Sequence, residues 1–436
     1  MRNVDDRITA LTVDTSECAD LGPLIPLLDE RSPLLWMRRG LGLAGIGEAV
    51  RLEFTGPDRI RDAAAAWRRL AAATTVTDAV GLPGTGLVAL GTFAFSETSA
   101  LTSVLIVPEI IVGRSASRSW ITRVTRTDAA LRATPPAVTP PAATPPSATP
   151  PAETGRPPAR PYGADVSVPL HPGTMSREHY RDAVASAVRS IRNHEVSKVV
   201  LARDLVGDLT PGSDVRTIVR DLALGYPDCW TFAIDGFVGA SPETLVSVAD
   251  GTVTARVLAG SAARGTDAVS DSDSAAALAT STKDLDEHQF AVQNVLASLR
   301  RHSPTVTASE APFTLKLPNL WHLASDIDGI LTDGSTSLDL VEALHPTAAV
   351  AGTPTRVALD LIDTLEPFDR GRYAGPVGWI GADGDGEWAV ALRSAQIAAD
   401  GTVTAYAGAG IVADSVPERE LVETRLKFRP IVDAFG

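Results

Sequence analysis

Two cysteines, Cys18 and Cys229, are all that this 436-residue chain contains. They lie far apart and form no C-x-x-C pair, which excludes a disulfide framework and a cysteine-based zinc site. No apolar run reaches the roughly 18 residues that a membrane helix needs. Leu101–Val112 comes nearest, and it contains Pro108 and Glu109. The first 14 residues carry acids where an export signal would be basic and then apolar, so a soluble, cytoplasmic protein is expected. Phosphate-loop and nucleophile-elbow motifs are both missing.

Lysine is scarcer than any simple charge requirement explains. Of 39 basic residues only four are lysine, namely Lys198, Lys283, Lys316 and Lys427. Where only positive charge is wanted, arginine serves. A lysine that persists in such a background marks a place where a compact ammonium or a removable proton is useful, or else a surface position kept by chance. Charge is also uneven. Up to Pro161 there are 17 basic and 16 acidic residues, and from Tyr162 onward 22 and 37, giving the net −14. An acidic body without a basic stretch argues against nucleic acid as a partner. An anionic substrate would need local cations, either placed side chains or a metal.

With 44% apolar and 21% charged residues the chain is long enough for a sizeable core. One segment is low in complexity. TPP recurs at 134, 139, 144 and 149, and eleven of the 31 prolines fall between 135 and 161. This run is expected to form an extended polyproline strap, either between two domains or looping out of one. A spacer is the simpler role; PxxP recognition by a partner is the other.

Strand-like runs precede the strap at Ala49–Phe54, Leu87–Phe95 and Leu101–Val112, with a helix over Arg59–Ala73. After it, Arg177–Asn193 is predicted helical, with Val184, Val188 and Ile191 on one side. Strands are predicted at Lys198–Leu205, Trp230–Ile234, Thr244–Val248, Val253–Leu258, Trp379–Ile380, Glu387–Ile397 and Val403–Tyr406. Helices are predicted at Lys283–Arg301 and from about Pro417. DGTVTA occurs at 250–255 and again at 400–405, a hairpin signal each time. Strands dominate without βαβ alternation, so the fold class is α+β with large antiparallel sheets. Gly40, Gly42 and Gly45 match G-x-G-x-x-G, but GIGEAVRLEF alternates like a strand, which excludes a dinucleotide site.

Several residues combine into candidate chemistry. Asp284 and Glu287 share one helix face, as do Glu420, Glu423 and Lys427, and Ser415 with Glu418 reads as a capping box around Pro417. Four carboxylates on two helices could hold a hard divalent cation such as Mg2+, although acidic helix faces are more often simply solvated. Lys198 heads an apolar strand, as a solvated end charge or as a desolvated general base. Glu243 is either a surface acid or, if buried, a general acid with a raised pKa. Arg393 lies inside the apolar run WAVALRSAQI and needs an anionic partner, from the protein or from a ligand. Structural histidine is the default reading of His322 and His345. Gly408 and Gly410 suit either anion approach by the backbone or a tight turn.

In order along the chain stand SKVVLAR, GASPETLV, LAGSAARG, KDLDEH, LHPTAAVAGTP, EPFDRGRYAGPVGW, ALRSAQI and AGAGIVADSVPERELVETRLK. Together they resemble the chorismate-utilising enzymes, which include isochorismate, salicylate, anthranilate and aminodeoxychorismate synthases. GIGEA and GTFAFS extend the resemblance to the N-terminal region. It implies one chorismate-binding domain over 1–436, with an N-terminal region spanning 1–132, a proline-rich insertion 133–161 and a catalytic region spanning 162–436. It also implies that Lys198 activates water at C2 of chorismate and that Glu243 protonates the departing C4 hydroxyl. Glu287 and Glu423 match Mg2+ ligands, with Glu420 and Asp284 nearby or acting through water; some relatives have Glu where this chain has Asp284. Arg393 and Tyr373 match residues that hold the enolpyruvyl carboxylate, helped by Gly408–Gly410. Gly260 and Ser261 belong near the leaving hydroxyl, Lys427 near the ring carboxylate, and His322 and Ala349 with the substrate-binding set. Ammonia users lack the base lysine and usually carry a lysine after the GxP motif, where this chain has Thr355. The resemblance therefore favours water and an isochorismate synthase acting on chorismate. A salicylate synthase and a silent carboxylate-binding homologue are the alternatives. A monomer without a glutaminase subunit is expected, and removal of 134–158 should leave activity unchanged.

Overall fold

The computed structural model describes residues 10–126, 157–318 and 320–436. The repeats at 134–151 lie outside the described residues. Eight α-helices are found among those described: α1 Arg59–Ala73, α2 Arg177–Arg192, α3 Val215–Gly225, α4 Ala268–Thr280, α5 Thr282–Leu299, α6 Ser337–Leu344, α7 Thr355–Leu365 and α8 Pro417–Ala434. Their starts follow local chemistry. Ser176 caps α2 by accepting from His179 N–H at 3.1 Å, and Ser281 caps α5 by accepting from Asp284 N–H at 3.3 Å. The stripe predicted for α2 is buried, with Val184, Val188 and Ile191 all inside. The capping box predicted for α8 does not form. Val416 is the N-cap, and Ser415 Oγ instead accepts from Val412 N–H at 3.1 Å, turning the chain before Pro417 opens the helix.

Two large sheets carry the molecule, one of 13 strands and one of 10. Both draw strands from before residue 127 and after residue 156. Pairing is antiparallel except between Leu11–Cys18 and Thr75–Asp78. The sheets meet over a core of large apolar side chains from both, including Trp36, Phe232 and Phe237 of the first and Leu90, Val104 and Trp379 of the second. Trp36 and Trp379 both donate to Glu387 Oε2 at 3.1 Å, one from each sheet. Both DGTVTA blocks are hairpin turns, joining Thr244–Ala249 to Thr252–Ala263 and Ser394–Ile397 to Thr402–Ile411. The G-x-G-x-x-G segment is indeed a strand, Leu41–Ile46.

Two predicted strands are each divided between the sheets. Leu101–Val112 forms Ser103–Val107 in the ten-stranded sheet and Ile110–Arg114 in the other. Pro108, without an N–H, interrupts the ladder where the chain changes sheet. Glu387–Ile397 likewise divides into Gly386–Val390 and Ser394–Ile397, again in different sheets. Arg393 is thus not inside a strand. It occupies the crossing, with φ at +50°, a conformation non-glycine residues rarely adopt. Among the described residues no helix is long and apolar enough to cross a membrane.

Candidate active site

The crossing at Arg393 has a partner. Between Phe237–Ser241 of the 13-stranded sheet and Thr244–Ala249 of the other, the chain changes sheet at Pro242-Glu243. The two crossings hold each other. Val390 N–H donates to the Glu243 carbonyl at 3.0 Å, Ala240 N–H to the Arg393 carbonyl at 3.1 Å, and Ser241 Oγ–H to the Val390 carbonyl at 2.6 Å. An acid and an arginine are fixed side by side where the sheets part, and a cavity of about 220 Å³ opens there.

Every candidate residue except Tyr373 and Gly408 lines this cavity. Lys198, Glu243, Gly260, Ser261, Asp284, Glu287, His322, Ala349, Arg393, Gly410, Glu420, Glu423 and Lys427 are brought together from segments more than 200 residues apart. Tyr373 and Gly408 form the layer behind it. Tyr373 is buried, stacks on Tyr406 at 5.4 Å, and a Cβ on Gly408 would stand 3.2 Å from its hydroxyl. Burial pushes the Tyr373 phenol up to about 12. Gly408 and Gly410 lie within strand Thr402–Ile411, not in a turn. A Cβ on Gly410 would meet Lys198 Cε at 3.1 Å, so this glycine leaves room for the lysine to reach the cavity.

Helix α5 brings Asp284 and Glu287. It is anchored by His288, which sequence reasoning missed. Its Nδ1 lies 3.2 Å from the Ala259 carbonyl, which can only accept, so Nδ1 carries the proton and Nε2 accepts from Ser325 Oγ–H at 2.8 Å. Burial lowers the His288 pKa and keeps the ring neutral for that arrangement. Helix α8 brings Glu420, Glu423 and Lys427 and is tied to strand Lys198–Asp208 by buried Arg203. That guanidinium donates to Thr424 Oγ1 at 2.8 Å and lies over the Phe428 ring. The SKVVLAR segment carries no visible sign of this tie, because it depends on a residue more than 200 positions away.

Both lysines in the cavity are paired with carboxylates. Lys198 Nζ donates to Glu287 Oε1, and Lys427 Nζ donates to the Gly408 carbonyl at 3.0 Å and pairs with Glu423 at 2.7 Å. Burial pushes Glu423 up, but Lys427, Arg393 and Lys198 outweigh it and hold the carboxyl below its ordinary range. Glu243 is 6% exposed, and burial raises its pKa to about 7 despite Arg393, Lys198 and Lys427 nearby. Arg393 has no such partner. It is buried, and among the described residues no carboxylate lies within ion-pair distance; its Nη2 faces His322 Nε2 at 3.5 Å.

The His322 tautomer follows from that contact. A guanidinium cannot accept, so Nε2 presents its lone pair and Nδ1 carries the proton, 2.9 Å from Ser261 Oγ and 3.3 Å from the Gly260 carbonyl. Burial, with Arg393 and Lys427, lowers the His322 pKa to about 3, so the ring is neutral. With His322 donating to it, Ser261 Oγ–H is left to donate into the cavity. A register shift between Ala259 and Ser261 places Gly260 at φ +82°, which turns Ser261 out of the ladder. His345, by contrast, is structural, with Nε2–H donating to the Phe95 carbonyl at 2.9 Å. Pro242, Leu258, Leu392 and Val412 also line the cavity and were not singled out by sequence, and Ser415, read from sequence only as part of a cap, lines it as well.

Among the described residues no three of His, Cys, Asp and Glu stand close enough together to enclose a metal ion. Yet the donors facing the cavity from α5 and α8 are all carboxylate oxygens, apart from the Lys427 ammonium. That set suits a hard cation that takes few protein ligands and keeps waters or substrate oxygens, rather than one needing a closed cage.

A chain with this pair of sheets and this cavity belongs to the chorismate-binding enzymes: the family model described as chorismate binding enzyme matches residues 28–436. Within the family its similarity is to isochorismate synthases. It is 43% identical over 273 residues to isochorismate synthase DhbC of Bacillus subtilis, covering 59% of this chain and 68% of that one. To isochorismate synthase EntC of Escherichia coli K12 it is 36% identical over 264 residues, 59% and 67% of the two chains. The solved structure of DhbC from Bacillus anthracis superposes with a TM-score of 0.74 at 29% identity, covering 95% of this chain and 98% of the other.

Proposed function

We propose that this chain is an isochorismate synthase, an isomerase in which water adds at C2 of chorismate as the C4 hydroxyl leaves as water. One observation carries the reading: a lysine, a buried acid and a buried arginine without a carboxylate partner among the described residues line a single cavity. Arg393 is matched to a substrate carboxylate, because its charge is buried and no carboxylate among the described residues pairs with it directly. Glu243, with a pKa of about 7, keeps a proton for the departing C4 hydroxyl at neutral pH and can give it up in the reaction. Lys198, at the head of its strand, is the group that takes a proton from the attacking water. Ser261 Oγ–H, freed by His322, is available to the leaving oxygen. Tyr373 and Gly408 support this wall from behind.

Mg2+ is the cofactor of this reading. Glu287 and Glu423 would hold it, with Glu420 and Asp284 in its outer surroundings, and it would supply positive charge to the ring carboxylate in an acidic cavity. The reading also treats residues 1–436 as one chorismate-binding domain, with 133–161 as an insertion.

Chorismate consumption by the purified protein tests the proposal, with Lys198→Ala and Glu243→Gln alongside. Each substitution is expected to reduce turnover at least about a hundredfold while the circular dichroism spectrum is kept. Turnover within a few fold of the parent in either folded variant contradicts the role given to that residue.

A further inference from the structure

Behind Glu243 lies a second, much smaller cavity of about 20 Å³. Glu243 and Ala349 line both spaces and so separate them. The small cavity is walled mainly by apolar side chains, among them Leu245, Val257, Ala291, Val295 and Ala348, and Thr347 also lines it. Thr347 is 9% exposed, and its Oγ1 is buried without a hydrogen-bond partner among the described residues. Such hydroxyls are uncommon in folded proteins, since each costs the desolvation of a polar group. A register shift between Thr244 and Val246 also takes Leu245 out of its ladder at this cavity. The space is about what one water needs, given two or more polar partners.

We propose that Thr347 is a positioning residue for Glu243: its hydroxyl holds one water in the small cavity, and that water hydrogen-bonds the Glu243 carboxyl from the side away from the substrate. This deepens, and rests on, the reading of Glu243 as the general acid. The water fixes the rotamer of a carboxyl whose oxygens have no hydrogen-bond partner among the described residues, and it supports the charged form left after proton donation. The charged groups facing Glu243 are Arg393, Lys198 and Lys427, and Arg256 lines the small cavity while paired with Asp326. None of them supplies this contact.

The test compares Thr347→Val, which keeps the shape and removes the hydroxyl, with Thr347→Ser, which keeps the hydroxyl. The Glu243 carboxyl is titrated by infrared difference spectroscopy in the substrate-free protein, its band assigned by loss in Glu243→Gln. In Thr347→Val its titration is expected to move up by about one pH unit, with kcat about tenfold lower and no loss of thermal stability. Thr347→Ser should restore both. An unmoved titration in Thr347→Val overturns the proposal, as does a Thr347→Ser variant as impaired as Thr347→Val. If Thr347→Val does not fold, a parental titration and kcat in Thr347→Ser sustain the proposal, and a shift in Thr347→Ser overturns it. Because the titration needs no substrate, it holds or fails separately from the assignment of Glu243 as the acid, which full activity of Glu243→Gln would refute.

Discussion

On the proposed reading, Glu243 sets the pH dependence of the site. Burial raises its pKa from 4.5 to about 7, so the folded protein holds the proton more tightly than the unfolded chain. The corresponding stability is full below about pH 4.5 and is lost as pH rises through about 7. The loss is on the order of 3 kcal/mol. Glu243→Gln, which cannot ionise, should therefore gain thermal stability over the parent between pH 5 and 8, measured by melting curves across that range. A constant difference between the two proteins across the range would show that Glu243 is not held protonated. If Glu243 is the proton donor proposed, it must be protonated to act, so kcat/KM should fall about tenfold per pH unit above about 7. An alkaline limb that is unchanged in Glu243→Asp would assign it to another residue. At this scale the sequence was informative through scarcity. Lys198 and Lys427 stood out because so few lysines remain, and both line the cavity. His288 and Thr347 gave no such signal, since a His or Thr is distinguished only by the partner it finds or lacks.

Among the elements, the arrangement of strands explains which predictions held. Periodicity located α1, α2, α5 and α8 and about half of the strands, because each buries a face that repeats along its own sequence, but it missed others, among them Leu11–Cys18, Ser119–Arg126 and Leu320–Ile330. It did not locate α3, α4, α6 or α7, nor the places where a continuous apolar run leaves one sheet for the other. At such a crossing both halves are buried, so the pattern stays apolar while the hydrogen-bond partners change. Arg393 marks one of these crossings, which is why it read as a charge within a strand. The small residues of strand Thr402–Ile411 belong to the same scale. Gly410→Ala would put a methyl 3.1 Å from Lys198 Cε and within 4.0 Å of Glu287 Oε1. Turnover should fall about tenfold or more as the lysine is displaced, with stability changed by less than about 1 kcal/mol. Parental kinetics in this variant would show that the lysine is not confined by the strand.

For the molecule as a whole, the two sheets draw on both sides of residues 127–156, so neither half could bury its sheet faces alone. The proline-rich repeats then connect strands of a shared core. Pro157 is already buried, which moves the boundary of a harmless deletion inward from 158. Removing 134–154 should leave kcat and KM within about twofold and shift stability little, because closure entropy depends only weakly on loop length. Loss of folding on this deletion would assign the repeats a structural role. The ordered motifs marked the residues that line the candidate site before any contact was known, whereas the pairing of each charge was not legible. That pairing depends on side chains from distant segments meeting at the junction of two sheets.

Product analysis after incubation with chorismate, with Mg2+ and again with EDTA, tests the central claim most directly. Isochorismate formed reversibly, only with the metal and without release of pyruvate, is the predicted result. Salicylate together with pyruvate would keep the site and overturn the assignment as an isochorismate synthase. Undiminished chorismate under both conditions would contradict the enzymatic reading altogether.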